Sequence, residues 1–293
     1  MWGRAGRHLM VVRLPQLSAG VAFFAVLSIA PVLVTALSMY GAINTPGQAL
    51  EQLSRVTGML PRELEPLVTE QLTTISAAST EVVTRRGLIG LVLALWTATT
   101  AMSYLIDALT VAYHEDETRS FLRRTALALA FVLGGALLVG AVIAVSGVAS
   151  RALAGAPDPV RWMMLVVTWL AVGGLMVAAL AVLYRFAPDR KQARWGWVSW
   201  GAMGATAVWL VTSLALLAYV RRLGAYEATY GSLAGVAISM FWLWITVFLV
   251  VAGAAVNGEA ERQTVRDSTV GMEKPLGERG AVVADTTPPR LDA

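Results

Sequence analysis

Three observations predict an all-α, polytopic membrane fold with six transmembrane helices and an amphipathic helical segment between the first and second. The chain carries six apolar runs of 23 residues or more, each able to cross a ~30 Å hydrocarbon core as a helix. It is 57% hydrophobic and only 14% charged over 293 residues, with mean hydropathy +0.64, whereas a soluble domain carries about a quarter charged residues. Its basic residues gather in short segments between the runs, which argues for membrane topology over nucleic acid as the reason for the net charge of +4. Cysteine is absent, which excludes disulfides, thiolate nucleophiles and cysteine metal sites.

Residues 1–16 form a basic tail with Arg4, Arg7 and Arg13. The run 17–40 is too long for the apolar core of a secretory signal and holds Pro31 near its middle. It reads as a retained first span, kinked or broken near Ser28–Pro31, because proline removes a helical N–H and crowds the preceding turn.

Residues 41–86 differ in composition, with five acids, four arginines and three prolines. Thr45-Pro46-Gly47-Gln48 has the form of a capping box with proline at the first helical position. Leu50, Leu53 and Val56, then Leu64, Leu67, Val68, Leu72 and Ile75, recur at helical spacing. The segment is expected outside the membrane, as two amphipathic helices that lie on the bilayer or cap the helices.

The remaining spans are expected at 88–113, 125–148, 162–186, 198–220 and 232–257. Glycines within them suit close helix packing, and Trp195, Trp197 and Trp200 mark an interface at the start of the fifth. In the sixth, Gly231, Gly235 and Ser239 recur every four residues and offer a stripe for a neighbouring helix, in the same chain or in a homo-oligomer. From 258 to 293 the chain is rich in charge, glycine and proline without apolar periodicity, so a disordered tail is expected.

Six spans put both termini on one side. That side holds three arginines in the first tail, three in the second loop, four basic residues around the end of the fourth span and five in the last tail; the other holds eight. The bias places both termini in the cytoplasm.

Polar groups inside spans are the best functional pointers, because lipid offers them no hydrogen bonds. Thr99, Ser103, Asp107 and Thr110 share one face of the second span, and Asp107 is the one acid inside a span. It is either a substrate-path group or a structural carboxylate paired with Arg185 or another basic residue. Arg185 closes the fourth span and either snorkels to lipid phosphates or binds an anionic headgroup. Asn257 closes the sixth, as a cap or as a hydrogen-bonding group across the helices. His114-Glu115-Asp116-Glu117 lacks metalloprotease spacing, and no nucleophile elbow, phosphate loop or dinucleotide fingerprint occurs. No catalytic residue, metal or cofactor is expected.

The segments AFFAVLSIAP, LIGLVLALWTATTAMSYLIDAL with Tyr113 and RSFLRR, LYRFAPDRK, and ATYGSLAG with AGAAVNGEAER occur in this order. In order and spacing, over roughly residues 10–262, the chain resembles the YihY/BrkB family of inner-membrane proteins, including YhjD-like members, formerly labelled ribonuclease BN. The resemblance implies six spans with both termini inside, with links to serum resistance and to lipopolysaccharide or lipid export, and it implies that the ribonuclease label is a misassignment. The chain departs from the family pattern at Leu109-Thr110, where relatives carry Leu-Asn, and at Gly253-Ala254-Ala255, where they carry Gly-Ala-Glu; Asn257 is kept. The leading expectation is a transporter or translocation partner for a lipid or amphipathic anion, with membrane lipids as partners and no nucleic acid. The alternative is a non-transporting scaffold or regulator that binds envelope-pathway proteins. A ribonuclease is the third.

Overall fold

The computed structural model describes residues 14–43, 80–152, 157–222, 232–264 and 266–286. Six long helices carry the fold: α1 Leu14–Ile43, α2 Thr80–Ala112, α3 Phe121–Ala152, α4 Asp158–Phe186, α5 Trp195–Arg222 and α6 Ser232–Glu261. A single turn, α7, follows at Val282–Asp285. No strand occurs among the described residues; one isolated antiparallel bridge joins Ala193 to Thr269. Each long helix contains a stretch of sufficient length and apolarity to cross a membrane, so the all-α membrane architecture holds. The amphipathic series of residues 50–75 and the first thirteen residues lie outside the described residues.

The chain divides into two compact units. One comprises 1–21, 102–218 and 244–293; the other comprises 22–101 and 219–243. In the smaller unit, small and hydroxylated side chains are buried: Ala22, Thr35, Ala94, Thr97 and Ala101. Thr35 and Thr97 donate to the carbonyls of Pro31 and Leu93, each at 2.8 Å. A hydroxyl in lipid is satisfied by such a bond one turn back.

The larger unit has its core where α2, α4, α5 and α6 meet, among Leu109, Tyr113, Tyr184, Val198, Ala202, Val251 and Ala254. Large apolar residues instead cover its outside, for example Leu137, Leu170 and Val211. This reversal of the soluble pattern fits a solvent as apolar as leucine, in which helices associate through small residues and shape.

Two expectations change. The break expected near Ser28–Pro31 does not occur: α1 runs through Pro31 without interruption. Membrane helices tolerate proline when nearby hydroxyls and neighbours serve the freed groups.

Of the glycine stripe expected in α6, Gly231 lies outside the described residues and Ser239 is exposed. The close approach is at Gly253 and Gly201. A β-carbon on Gly253 would stand 2.5 Å from Tyr184 Oη and 2.8 Å from Ala205 Cβ. One on Gly201 would stand 2.5 Å from the Gly253 carbonyl. Methyl groups added at Gly134, Gly135, Gly140, Gly173 or Gly174 would meet nothing within 4 Å. Four-residue spacing marks a smooth helix face but does not say what meets it.

The tail expected to be disordered is folded in part, with turns over residues 266–286. Asp267 accepts from the Thr269 N–H and hydroxyl at 2.9 and 2.8 Å and from the Lys274 N–H at 3.0 Å. Asp285 accepts from the N–H groups of Gly277, Arg279 and Gly280, and the left-handed φ of 95° at Gly277 and 76° at Gly280 aims those N–H groups inward. Arg279 donates to the carbonyls of Lys274 and Ala284. The charge, glycine and proline that resemble a disordered composition are here the parts of successive turns.

Candidate functional site: a charged cap over one end of the larger unit

Loops 113–120 and 187–194 and the tail lie together at one end of the larger unit. Thr118 donates through N–H and hydroxyl to Asp189 Oδ2 at 2.7 and 2.6 Å. Arg119 bridges Glu117 and the Ala187 carbonyl. The tail lies across both loops, with Arg194 N–H on the Ser268 carbonyl at 2.8 Å and Lys191 N–H on the Gly280 carbonyl at 3.1 Å. Val282 N–H donates to Glu115 Oε1 at 2.6 Å, and Val283 is fully buried.

The polar face of α2 rises to this cap. Thr99 belongs to the smaller unit and is half-buried, as is Ser103 in the larger. Asp107 pairs through Oδ2 with Arg124 Nη2 of α3 at 2.9 Å, and the two side chains retain 27% and 28% exposure. Its Oδ1 has no hydrogen-bond partner among the described residues. The carboxylate thus has a cation, as one of the sequence readings had it, but the partner is Arg124 and not Arg185. Thr110 is buried, donates to the Ile106 carbonyl at 2.9 Å and accepts from the Asp189 N–H at 3.4 Å. It is a joint between α2 and the loop after α4.

Asn257 is fully enclosed between α5, α6 and the end of α2. Its Oδ1 accepts from Gly201 N–H at 2.8 Å, while Nδ2 donates to the Val198 carbonyl at 3.2 Å and to Tyr113 Oη at 3.4 Å. The amide acts as an extra peptide unit fastened to a turn of α5. Nearby Tyr184 Oη donates to the Val250 carbonyl at 2.7 Å. These bonds tie four segments, three of the four bonds ending on backbone atoms, a positional role for Asn257.

Beneath the tail lies a pair the sequence did not reveal. Arg190 Nη2 holds both oxygens of Glu261 at 3.0 and 2.8 Å, and both side chains are almost wholly buried. Ser268 donates to the same carboxylate at 2.9 Å, and the Arg190 guanidinium lies 4.5 Å from the Tyr113 ring centre. Beside it, Glu259 faces His114 at 3.4 Å and Arg262 at 3.2 Å. Burial, then the nearby Arg262 charge, lowers the His114 pKa below 6.5 against the pull of Glu259. The one available signal was the clustering of opposite charges in the segments at this end.

Arg185 sits apart from these pairs. Its guanidinium carbon is 4.4 Å from the Trp195 ring centre and 5.5 Å from that of Phe186. Among the described residues no group of three or more His, Asp or Glu side chains is placed to hold a metal ion.

The family model described as Virulence factor BrkB matches residues 5–276. The chain belongs to this family. YfkH of Bacillus subtilis, which has a ribonuclease-like name, is 30% identical over 174 residues, covering 57% of this chain and 63% of its own. A UPF0761 membrane protein of Paraburkholderia xenovorans is 24% identical over 83% of this chain and 56% of its own. Another, of Ralstonia nicotianae, is 25% identical over 83% of this chain and 54% of its own. The chain therefore spans little more than half of the UPF0761 relatives' lengths. No solved structure matches it. The BrkB match and the six apolar helices together make this an integral membrane protein.

Proposed function

We propose that this BrkB-family protein translocates a lipid or another amphipathic anion in envelope biogenesis, in a bacterial inner membrane with both termini cytoplasmic. The observation that carries the reading is the Asp107–Arg124 pair. It joins α2 to α3 at 2.9 Å, remains about a quarter exposed on both partners, and leaves one carboxylate oxygen without a partner among the described residues. An ion pair within reach of the membrane, on a helix face that also carries Ser103, can open toward a charged headgroup and close behind it; polar groups retained in spans commonly serve such paths. The reading is non-enzymatic: Arg119, Arg190 and Arg262 are engaged with carboxylates. Membrane lipids are the primary partners under this reading, and envelope-pathway proteins or further copies of the chain would dock secondarily.

The deciding experiment is phospholipid and lipid-precursor translocation in proteoliposomes, comparing wild type with Asp107→Asn. Transport abolished by the substitution supports a path along α2. Equal transport in both keeps a transporter and removes Asp107 from it. No transport by well-folded protein in either case favours the non-transporting scaffold.

A further inference from the structure

Arg185 differs from the cations around it. Arg119, Arg124, Arg190 and Arg262 hold carboxylates, and Arg194 and Arg279 hold carbonyls. Arg123 and Arg266 are exposed. Arg185 is half-buried, is placed on two aromatic rings, and has no carboxylate or carbonyl acceptor among the described residues; its Nε is buried without a partner. Removing a guanidinium from water without giving it an acceptor is costly, and stacking on aromatic rings recovers only part of that cost.

The rings set the geometry. Phe186 and Trp195 meet edge to face at 6.3 Å, and both are more than a third exposed. They form an apolar wall beside the cation at the end of α4. Trp195 also opens α5, whose first turn holds no acid, so no side chain of that turn offsets the positive end of the helix dipole. A planar fork with an apolar wall and a positive surround suits a phosphate that carries a hydrocarbon chain.

We propose that Arg185, Phe186 and Trp195 form a binding site for the phosphate of a membrane amphiphile: Arg185 takes the phosphate oxygens and the two rings take the first carbons of the acyl or prenyl chain. The site needs no translocation, since it serves equally for a resident lipid, and so it stands or falls apart from the transport reading.

The test uses the purified full chain in detergent, with native mass spectrometry of bound dihexanoyl phosphatidylglycerol, inorganic phosphate and dihexanoylglycerol as probes. Wild type should bind the short-chain phospholipid saturably and the phosphate-free diglyceride poorly. Arg185→Gln should weaken the phospholipid about tenfold, the scale of one charge-assisted hydrogen bond. Trp195→Ala keeps the charge and should weaken the phospholipid without altering binding of inorganic phosphate. Phosphate bound as tightly as the phospholipid would overturn the lipid assignment in favour of a free anion. Equal phospholipid binding by wild type and both variants, each with an unchanged melting profile, would overturn the site. Translocation that survives Arg185→Gln while binding is lost separates this site from the transport path; binding without translocation keeps the site and sinks the transport reading.

Discussion

Asn257 occupies the space that a side chain on Gly201 would need. Its Oδ1 accepts the Gly201 N–H at 2.8 Å, and its Oδ1 and Cγ both lie against the position of a β-carbon there. The hydrogen bond and the missing side chain are one device: the amide reaches the α5 backbone because nothing covers it.

Gly201→Ala should therefore destabilise the protein by about 1–3 kcal/mol as an overpacked contact, with loss of monodisperse protein in detergent. Gly204→Ala, one turn along the same helix and facing open space, should be neutral. Size-exclusion chromatography after a temperature series distinguishes them. Equal behaviour of the two would contradict the packing described.

Glu261→Gln should cost about 3–5 kcal/mol, because Arg190 would be left buried without its counter-charge. Replacing both residues by leucine should restore much of the melting temperature. A single variant that melts like wild type would mean that the pair is not buried in the membrane-embedded protein.

By contrast, Asp107→Asn should lower stability by no more than about 1 kcal/mol, since its pair with Arg124 is partly solvated and screened. This makes it a usable probe of transport. Aggregation of Asp107→Asn under conditions that preserve wild type would disqualify it.

Attachment of the tail should depend on pH in two steps. Burial alone would raise the Asp285 carboxyl, but N–H groups from Arg279, Gly277, Gly280 and Ala281 outweigh it and hold the pKa below 3.8. Thr269 and Lys274 do the same for Asp267 against its burial. With folded values depressed, these carboxylates stabilise the tail fully above that value and cease to do so as pH falls through the folded pKa. His114, also depressed, contributes fully above 6.5 and progressively less below it. Glu115 has the opposite sign: burial raises its pKa above 4.5 despite the Val282 N–H, so its contribution is full below 4.5 and is lost as pH rises through the folded value. Hydrogen-exchange protection of residues 266–286, after correction for the slowing of intrinsic amide exchange as pH falls, should decrease below pH 6.5, and His114→Gln should remove that step while sparing the acid one. A flat profile to pH 3 would refute the carboxylate assignment.

The six helices were legible because uninterrupted apolar length is a local property. Asn257 was legible as a polar group closing a span, although its contact with Gly201 lies 56 residues away in sequence. Arg190 and Glu261 were not, since 71 residues separate them and neither position is unusual alone. The tail was misread because composition counts its charges without showing that Asp267 and Asp285 bind the turns around them. The sequence offered Asp107 a pairing with Arg185 or another basic residue, and only the placement of α3 selects Arg124.

The buried Arg190–Glu261 pair also constrains how the protein is made. The ribosome releases Arg190 71 residues before its carboxylate, and all of α5 and α6 is threaded into the bilayer in the interval. A lone guanidinium cannot wait in a dry interior, so until then it must remain in water at the membrane edge. The loop after α4 is therefore closed by the finished helices, late in biogenesis, and translation stalled before α6 should yield an inserted but uncapped protein open to quality-control proteases.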